Sequence, residues 1–132
     1  MEFRTTLPLK VFVNWRRTLT NKYHNRKVTI DNVTFHSRAE GQRYQELKIL
    51  ASCGAIAGFT LQPVFMLQEA FRDASGVKQR AITYIGDFAY IDCETGRNVV
   101  EDVKGKSTPV FLIKMKLFLK RYPNLELRIL KS

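Results

Sequence analysis

The sequence predicts a mixed α/β fold, a central sheet flanked by helices, and three observations carry that prediction. Ser37-Arg-Ala-Glu40 is a capping-box signature at the start of an amphipathic segment that runs to about Cys53. Thr108-Pro109 couples an N-cap to a proline at the first helical position, opening a second, strongly apolar segment to about Arg121. The remaining stretches are rich in Ile, Val, Phe, Tyr and Thr and are punctuated by Gly, Pro and Asn, as strands and their turns are. The resulting order is helix, three strands, helix, strand, preceded by a short hairpin. At 132 residues the chain is most simply one domain, residues 22–132, with an N-terminal extension over residues 1–21.

In the extension, LPLKVFVNW has strand-like content and is followed by Arg16 and Arg17. That content fits an extra strand, a dimer contact or a basic arm on nucleic acid alike. Residues 21–27 (NKYHNRK) are basic with one tyrosine. They read as a solvated loop, or as an arm whose Lys22, Tyr23, Arg26 and Lys27 contact phosphates. Val28 to Ile30 and Val33 to Phe35 flank an Asp31-Asn32 turn and form a hairpin.

In the first helix Glu40, Tyr44, Leu47 and Ala51 share one narrow stripe. Glu40 is thus a carboxylate on the inward line: a cap reaching back to the Ser37 backbone, or a functional group aimed at whatever the helix packs on. Gly54 closes the helix. Residues 59–67 read as a strand with an edge or a break at Pro63, and Gln62 within it is a partner for a site or a satisfied edge amide. Residues 68–79 read as a polar loop. The second helix is apolar around most of its circumference. Lys116 and Lys120 share its polar strip, while Lys114 falls inside the apolar arc, where it snorkels out or contacts a phosphate. Pro123-Asn124 turns the chain into a last strand, Leu125 to Leu130.

The stretch from Arg80 to Lys106 carries the chemistry. It reads as a hairpin with arms over residues 80–92 and 97–104, joined by the four residues Cys93 to Gly96. Pairing Asp92 with Arg97 sets a register in which Asp87 lies opposite Asp102; a bulge at Gly96 would make them diagonal neighbours instead. Opposed residues hold their Cβ atoms roughly 4.5–5.5 Å apart, and like charges there are destabilising. Lys104 projects from the same face as Asp102. Two carboxylates and a lysine on one face form either a solvated polar face or a place to hold a divalent metal and stabilise a developing negative charge.

The net charge of +10 and the pI of about 9.9 suggest an anionic partner. The charges are segregated: residues 1–27 hold seven Lys/Arg and one acid, residues 104–132 hold eight and one, and the stretch between holds seven and ten. Basic ends around an acidic centre suit a protein that grips a polyanion around a cation-binding middle. Cys53 and Cys93 form no metal or disulfide spacing, and His24 and His36 are too few for zinc. With no signal peptide and no apolar run long enough to cross a bilayer, the sequence predicts a cytoplasmic protein with no membrane partner.

The ordered set of a helix glutamate, an aspartate on the hairpin's first arm and Asp-Val-Lys on the second resembles the PD-(D/E)xK nuclease superfamily. More narrowly, KYHNRKVTIDNVTFHSRAEGQRYQELK, LQPVF, ITYIGDFAYID, VVEDVKG and KMKLF look like a family of small phage-encoded proteins within it, over roughly residues 22–130. The resemblance implies an αβββαβ restriction-endonuclease-like core and a DNA endonuclease that uses one or two Mg²⁺ or Mn²⁺. It places Asp87 on the motif aspartate, Asp102 on the acidic position, Lys104 on the lysine and Glu40 on the helix glutamate. Gly86 stands where the motif's proline would be, and Asp102 replaces the commoner glutamate. The implied metal ligands are Asp87, Asp102, Glu40 and the carbonyl of Val103. Lys104 would orient the attacking water or stabilise the phosphorane charge. Lys106, Lys114, Gln62 and the 22–27 arm would contact nucleic acid, mostly without regard to sequence. By analogy with small phage enzymes the substrate is structured or branched DNA, as for a Holliday-junction resolvase, and paired cuts would call for a homodimer. The alternative is a non-catalytic nucleic-acid-binding or assembly protein that keeps the fold.

Overall fold

The computed structural model describes residues 26–132. The elements in order are β1 (Val28–Ile30), β2 (Val33–Phe35), α1 (Arg38–Ser52), β3 (Ile56–Leu61), β4 (Val64–Gln68), β5 (Phe71–Arg72), β6 (Lys78–Gln79), β7 (Ile82–Ile85), β8 (Phe88–Asp92), β9 (Arg97–Lys104), α2 (Pro109–Arg121) and β10 (Leu125–Lys131). The fold is mixed α/β, and its main sheet is mixed as well. Strands run in the order β10-β9-β8-β3, with β10 parallel to β9 and the other pairs antiparallel. The extension over residues 1–21, with the dimer contact or arm expected there, lies outside the described residues.

Both helices start as their sequences dictate. The Ser37 hydroxyl accepts the Glu40 N–H at 3.1 Å, and the Thr108 hydroxyl accepts that of Phe111 at 3.1 Å ahead of Pro109. The helices cover opposite faces of the sheet. Tyr44 and Leu47 of α1 pack with Phe35, Phe88, Tyr90 and Val99. Phe111 and Phe118 of α2 pack with Phe65, Tyr84, Ala89 and Val100. Neighbouring residues of β8 and β9 thus alternate between two cores, as a strand buried on both faces requires. Although α2 is apolar around most of its circumference, only Phe111 and Phe118 are buried, and Val110, Ile113 and Leu117 remain exposed. Among the described residues no helix is long and apolar enough to cross a membrane.

Two sequence expectations are corrected. The hairpin's first arm is not continuous: it breaks at Gly86-Asp87 into β7 and β8, opposite the break at Gln62-Pro63 that separates β3 from β4. Across the break the Gln62 N–H donates to the Asp87 carbonyl at 2.9 Å, and the Gly86 N–H donates to the Pro63 carbonyl at 3.0 Å. Gln62 adopts a left-handed backbone (φ 49°), so both strands bend together. A side chain at Gly86 would sit 2.8 Å from Val100 Cγ1, so the bend is tight because glycine stands there. The second correction concerns residues 68–79, expected as a loop. They contain the two-stranded β5–β6 ribbon, which extends beyond β4–β7 and is closed by a turn at Asp73.

Candidate active site

The bend creates a fork. Pairing of β8 with β9 runs from Asp92↔Arg97 to Phe88↔Glu101 without a bulge, and Asp102 to Lys104 pair only with β10. The predicted register therefore holds, but Asp87 lies one residue before the ladder rather than within it. Its carboxylate turns across the fork and accepts the Val103 N–H at 2.7 Å. The same bend brings Tyr84 to Asp102, and its hydroxyl donates to the Asp102 carboxylate at 2.5 Å. The Lys104 ammonium lies 3.6 Å from the other Asp102 oxygen and 4.4 Å above the Phe111 ring, so α2 supports the lysine from below.

Glu40 reaches this cluster from the first turn of α1. Its carboxylate accepts the His36 N–H at 3.3 Å, one residue earlier than a capping box would take it. Burial pushes the Glu40 carboxyl up to about 7, with repulsion from Asp102 adding and Lys104 opposing. Asp87 is raised well above the carboxylate range by burial, then by Glu40 and Asp102. Asp102 is raised by burial, against the pull of Lys104 and the hydrogen bonds it accepts from Tyr84 and Asp87. Burial is the first cause for all three acids, and for Glu40 and Asp87 the charge of neighbouring carboxylates adds to it.

Glu40, Asp87, Asp102 and Lys104, separated by up to 64 positions in sequence, thus meet at the fork, with the Val103 backbone and buried Gln62 beside them. The expected phosphate contacts are more scattered. Arg26 and Lys27 are exposed just before Val28, which packs on Gly41 next to Glu40, so they enter near the same helical turn. Lys106 is exposed beyond β9, and Lys114 is half-buried one turn after Phe111. Lys22 and Tyr23 lie outside the described residues.

Sequence reasoning missed Tyr84 and a buried network on the other face of β9. Glu101, fully buried, accepts from Arg43 Nε at 2.9 Å and Arg43 Nη2 at 2.6 Å, and from the Tyr90 hydroxyl. The signal was present: a glutamate alternating with Asp102 must face α1, and Arg43 lies one turn past Glu40. Only the packing shows that the two meet.

The donor set suits a hard divalent cation. The carboxylates are oxygen acceptors whose mutual repulsion a double positive charge offsets. Asp87 and Asp102 lie within hydrogen-bond reach of each other, while Glu40 acts on them through its charge. Among the described residues no three acidic, histidine or cysteine side chains close around one point tightly enough to hold an ion alone. Backbone carbonyl and water ligands would have to complete the shell.

No curated protein and no solved structure matches the chain. Residues 20–132 match the family described as protein of unknown function (DUF1064), and the chain belongs to that family.

Proposed function

We infer that this protein is a divalent-metal-dependent phosphodiesterase acting on DNA, built on a PD-(D/E)xK-like αβββαβ core. The observation that carries the reading is the cluster of half-buried Glu40 and Asp87 with buried Asp102, and Lys104 beside it. A structural role explains it poorly, because three mutually repelling carboxyls in one buried place destabilise a fold unless a cation or a proton offsets them. Asp87, Asp102, Glu40 and the Val103 carbonyl would hold Mg²⁺ or Mn²⁺, which when bound supplies Lewis acidity and a more acidic water. The chain's own groups do the rest. Tyr84 and the Val103 N–H fix the orientation of the two aspartates. Lys104, held over Phe111, presents an ammonium to the charge that grows on a phosphoryl oxygen. The basic groups Arg26, Lys27, Lys106 and Lys114 would position the backbone, and branched DNA and a homodimer belong to the same proposal.

One observation favours a second reading, a nucleic-acid-binding protein without catalysis: among the described residues no three ligand side chains converge on one point. Plasmid and four-way-junction substrates incubated with Mg²⁺ or with EDTA decide between the two. Nicking that requires the metal and disappears in Asp102→Ala supports the enzyme. Binding that persists in every condition without metal-dependent cleavage removes it.

A further inference from the structure

We propose that the β5–β6 ribbon is a nucleic-acid-gripping arm that contacts backbone phosphates away from the carboxylate fork. The inference deepens the nucleic-acid reading above and rests on it. It begins with a pairing that a solitary ribbon should avoid: Arg72 lies directly opposite Lys78. Like charges opposed across two strands repel, and among the described residues this ribbon has no neighbouring strand or hydrophobic core to offset the cost.

The arm's acids do not neutralise these cations. Asp73 is committed to the turn, where one carboxylate oxygen accepts the N–H groups of Ser75 (2.9 Å) and Val77 (3.0 Å) and the other accepts from Gln79 Nε2 (3.0 Å). Glu69 pairs with Arg121 at the end of α2, 3.4 Å away. Among the described residues Arg72, Lys78 and Arg80 have no acid within ion-pair distance; the guanidinium of Arg72 donates to the Gly76 carbonyl at 2.9 Å. Lys78 and Arg80 line an open groove of about 770 Å³ together with Phe71, whose ring is 48% exposed. Residues 68–81 are exposed throughout except for half-buried Asp73. A projecting two-stranded ribbon with uncompensated cations and an uncovered aromatic has the size and charge to lie against a nucleic-acid groove and its phosphates.

Its position suits that role. The arm continues β4–β7, which starts at the bend that holds Asp87, and about twelve residues separate Asp87 from the tip at Ser75. At about 3.3 Å per residue the tip reaches at most ~40 Å from the fork, the span of about twelve nucleotide steps of duplex.

The test measures binding of a labelled linear duplex to the full chain in EDTA, so that cleavage plays no part. Three proteins are compared across a salt series: wild type, the arm variant Arg72→Gln/Lys78→Gln/Arg80→Gln, and a control of equal charge loss, Lys116→Gln/Lys120→Gln/Lys131→Gln. The arm variant is expected to bind about tenfold or more weakly near 0.1 M salt, with its log–log salt slope reduced by about 2–3, and the control to change much less. An arm variant carrying Arg72→Lys and Arg80→Lys is expected to keep most of the affinity. Equal losses in arm and control variants, or no loss in either, overturn the proposal. Because the readout is binding alone, absence of metal-dependent cleavage would remove the enzyme and leave the arm standing, and intact cleavage with unchanged arm-variant binding would do the reverse.

Discussion

At the scale of single residues, the carboxylates at the fork hold their protons to higher pH in the folded chain than in the unfolded one. Glu40 ionises near 7 in the folded state and near 4.5 when unfolded. Below about pH 4.5 both states hold the proton and its stabilising contribution is complete. Between the two values only the folded state keeps the proton, so stability falls as pH rises, and above 7 the contribution is lost. Raised Asp87 and Asp102 act in the same direction. Metal-free protein is therefore expected to melt several degrees higher at pH 5 than at pH 8. Glu40→Gln should raise the pH 8 melting temperature, recovering on the order of 2–3 kcal/mol, and flatten the profile. A thermal scan against pH in EDTA checks this, and a profile that rises from pH 5 to 8 would contradict it. Millimolar Mg²⁺ or Mn²⁺ should stabilise the protein more at pH 8 than at pH 5, because the ligands must first lose their protons. Tyr84→Phe keeps the packing of the ring and removes the hydrogen bond to Asp102. Metal-dependent cleavage should fall about 10–100-fold, with duplex binding in EDTA unchanged.

At the scale of elements, the bend and the α1–β9 contact hold the site in shape. Gly86 serves as both a space and a donor: a Cβ there collides with Val100, and the N–H bonds to Pro63. A proline there would lose that hydrogen bond and add a ring where a single carbon already does not fit. This explains physically why glycine occupies the position. Gly86→Ala should cost about 1–3 kcal/mol, measured by urea denaturation. The Arg43–Glu101 pair fastens the helix that carries Glu40 to the strand that carries Asp102. Arg43→Met strands a fully buried carboxylate and should cost about 3–5 kcal/mol, while Arg43→Met with Glu101→Met should recover most of it. If the single and double variants unfold at the same denaturant concentration, the pair has no fastening role.

At the scale of the whole molecule, sequence and structure contribute differently. The helix starts were legible because Ser37 and Thr108 cap through local hydrogen bonds, and the β8–β9 register because Cys93 to Gly96 join the arms through a four-residue turn. The break at Gly86, the ribbon over residues 71–79 and the Arg43–Glu101 pair were not legible in the same way. Each depends on what lies opposite a residue in space, and periodicity in one strand carries no record of its partner. By itself the sequence determined where the two helices start, and that Asp102 and Lys104 share a face, because those follow from local hydrogen bonding and the two-residue repeat of a strand. Only the tertiary structure decided that Asp87 leaves the ladder to join Asp102, that Glu40 arrives beside them, and that Glu101 meets Arg43 in the opposite core. Those outcomes depend on how a bent sheet and two helices exclude water from one another, which no stretch of the chain specifies alone.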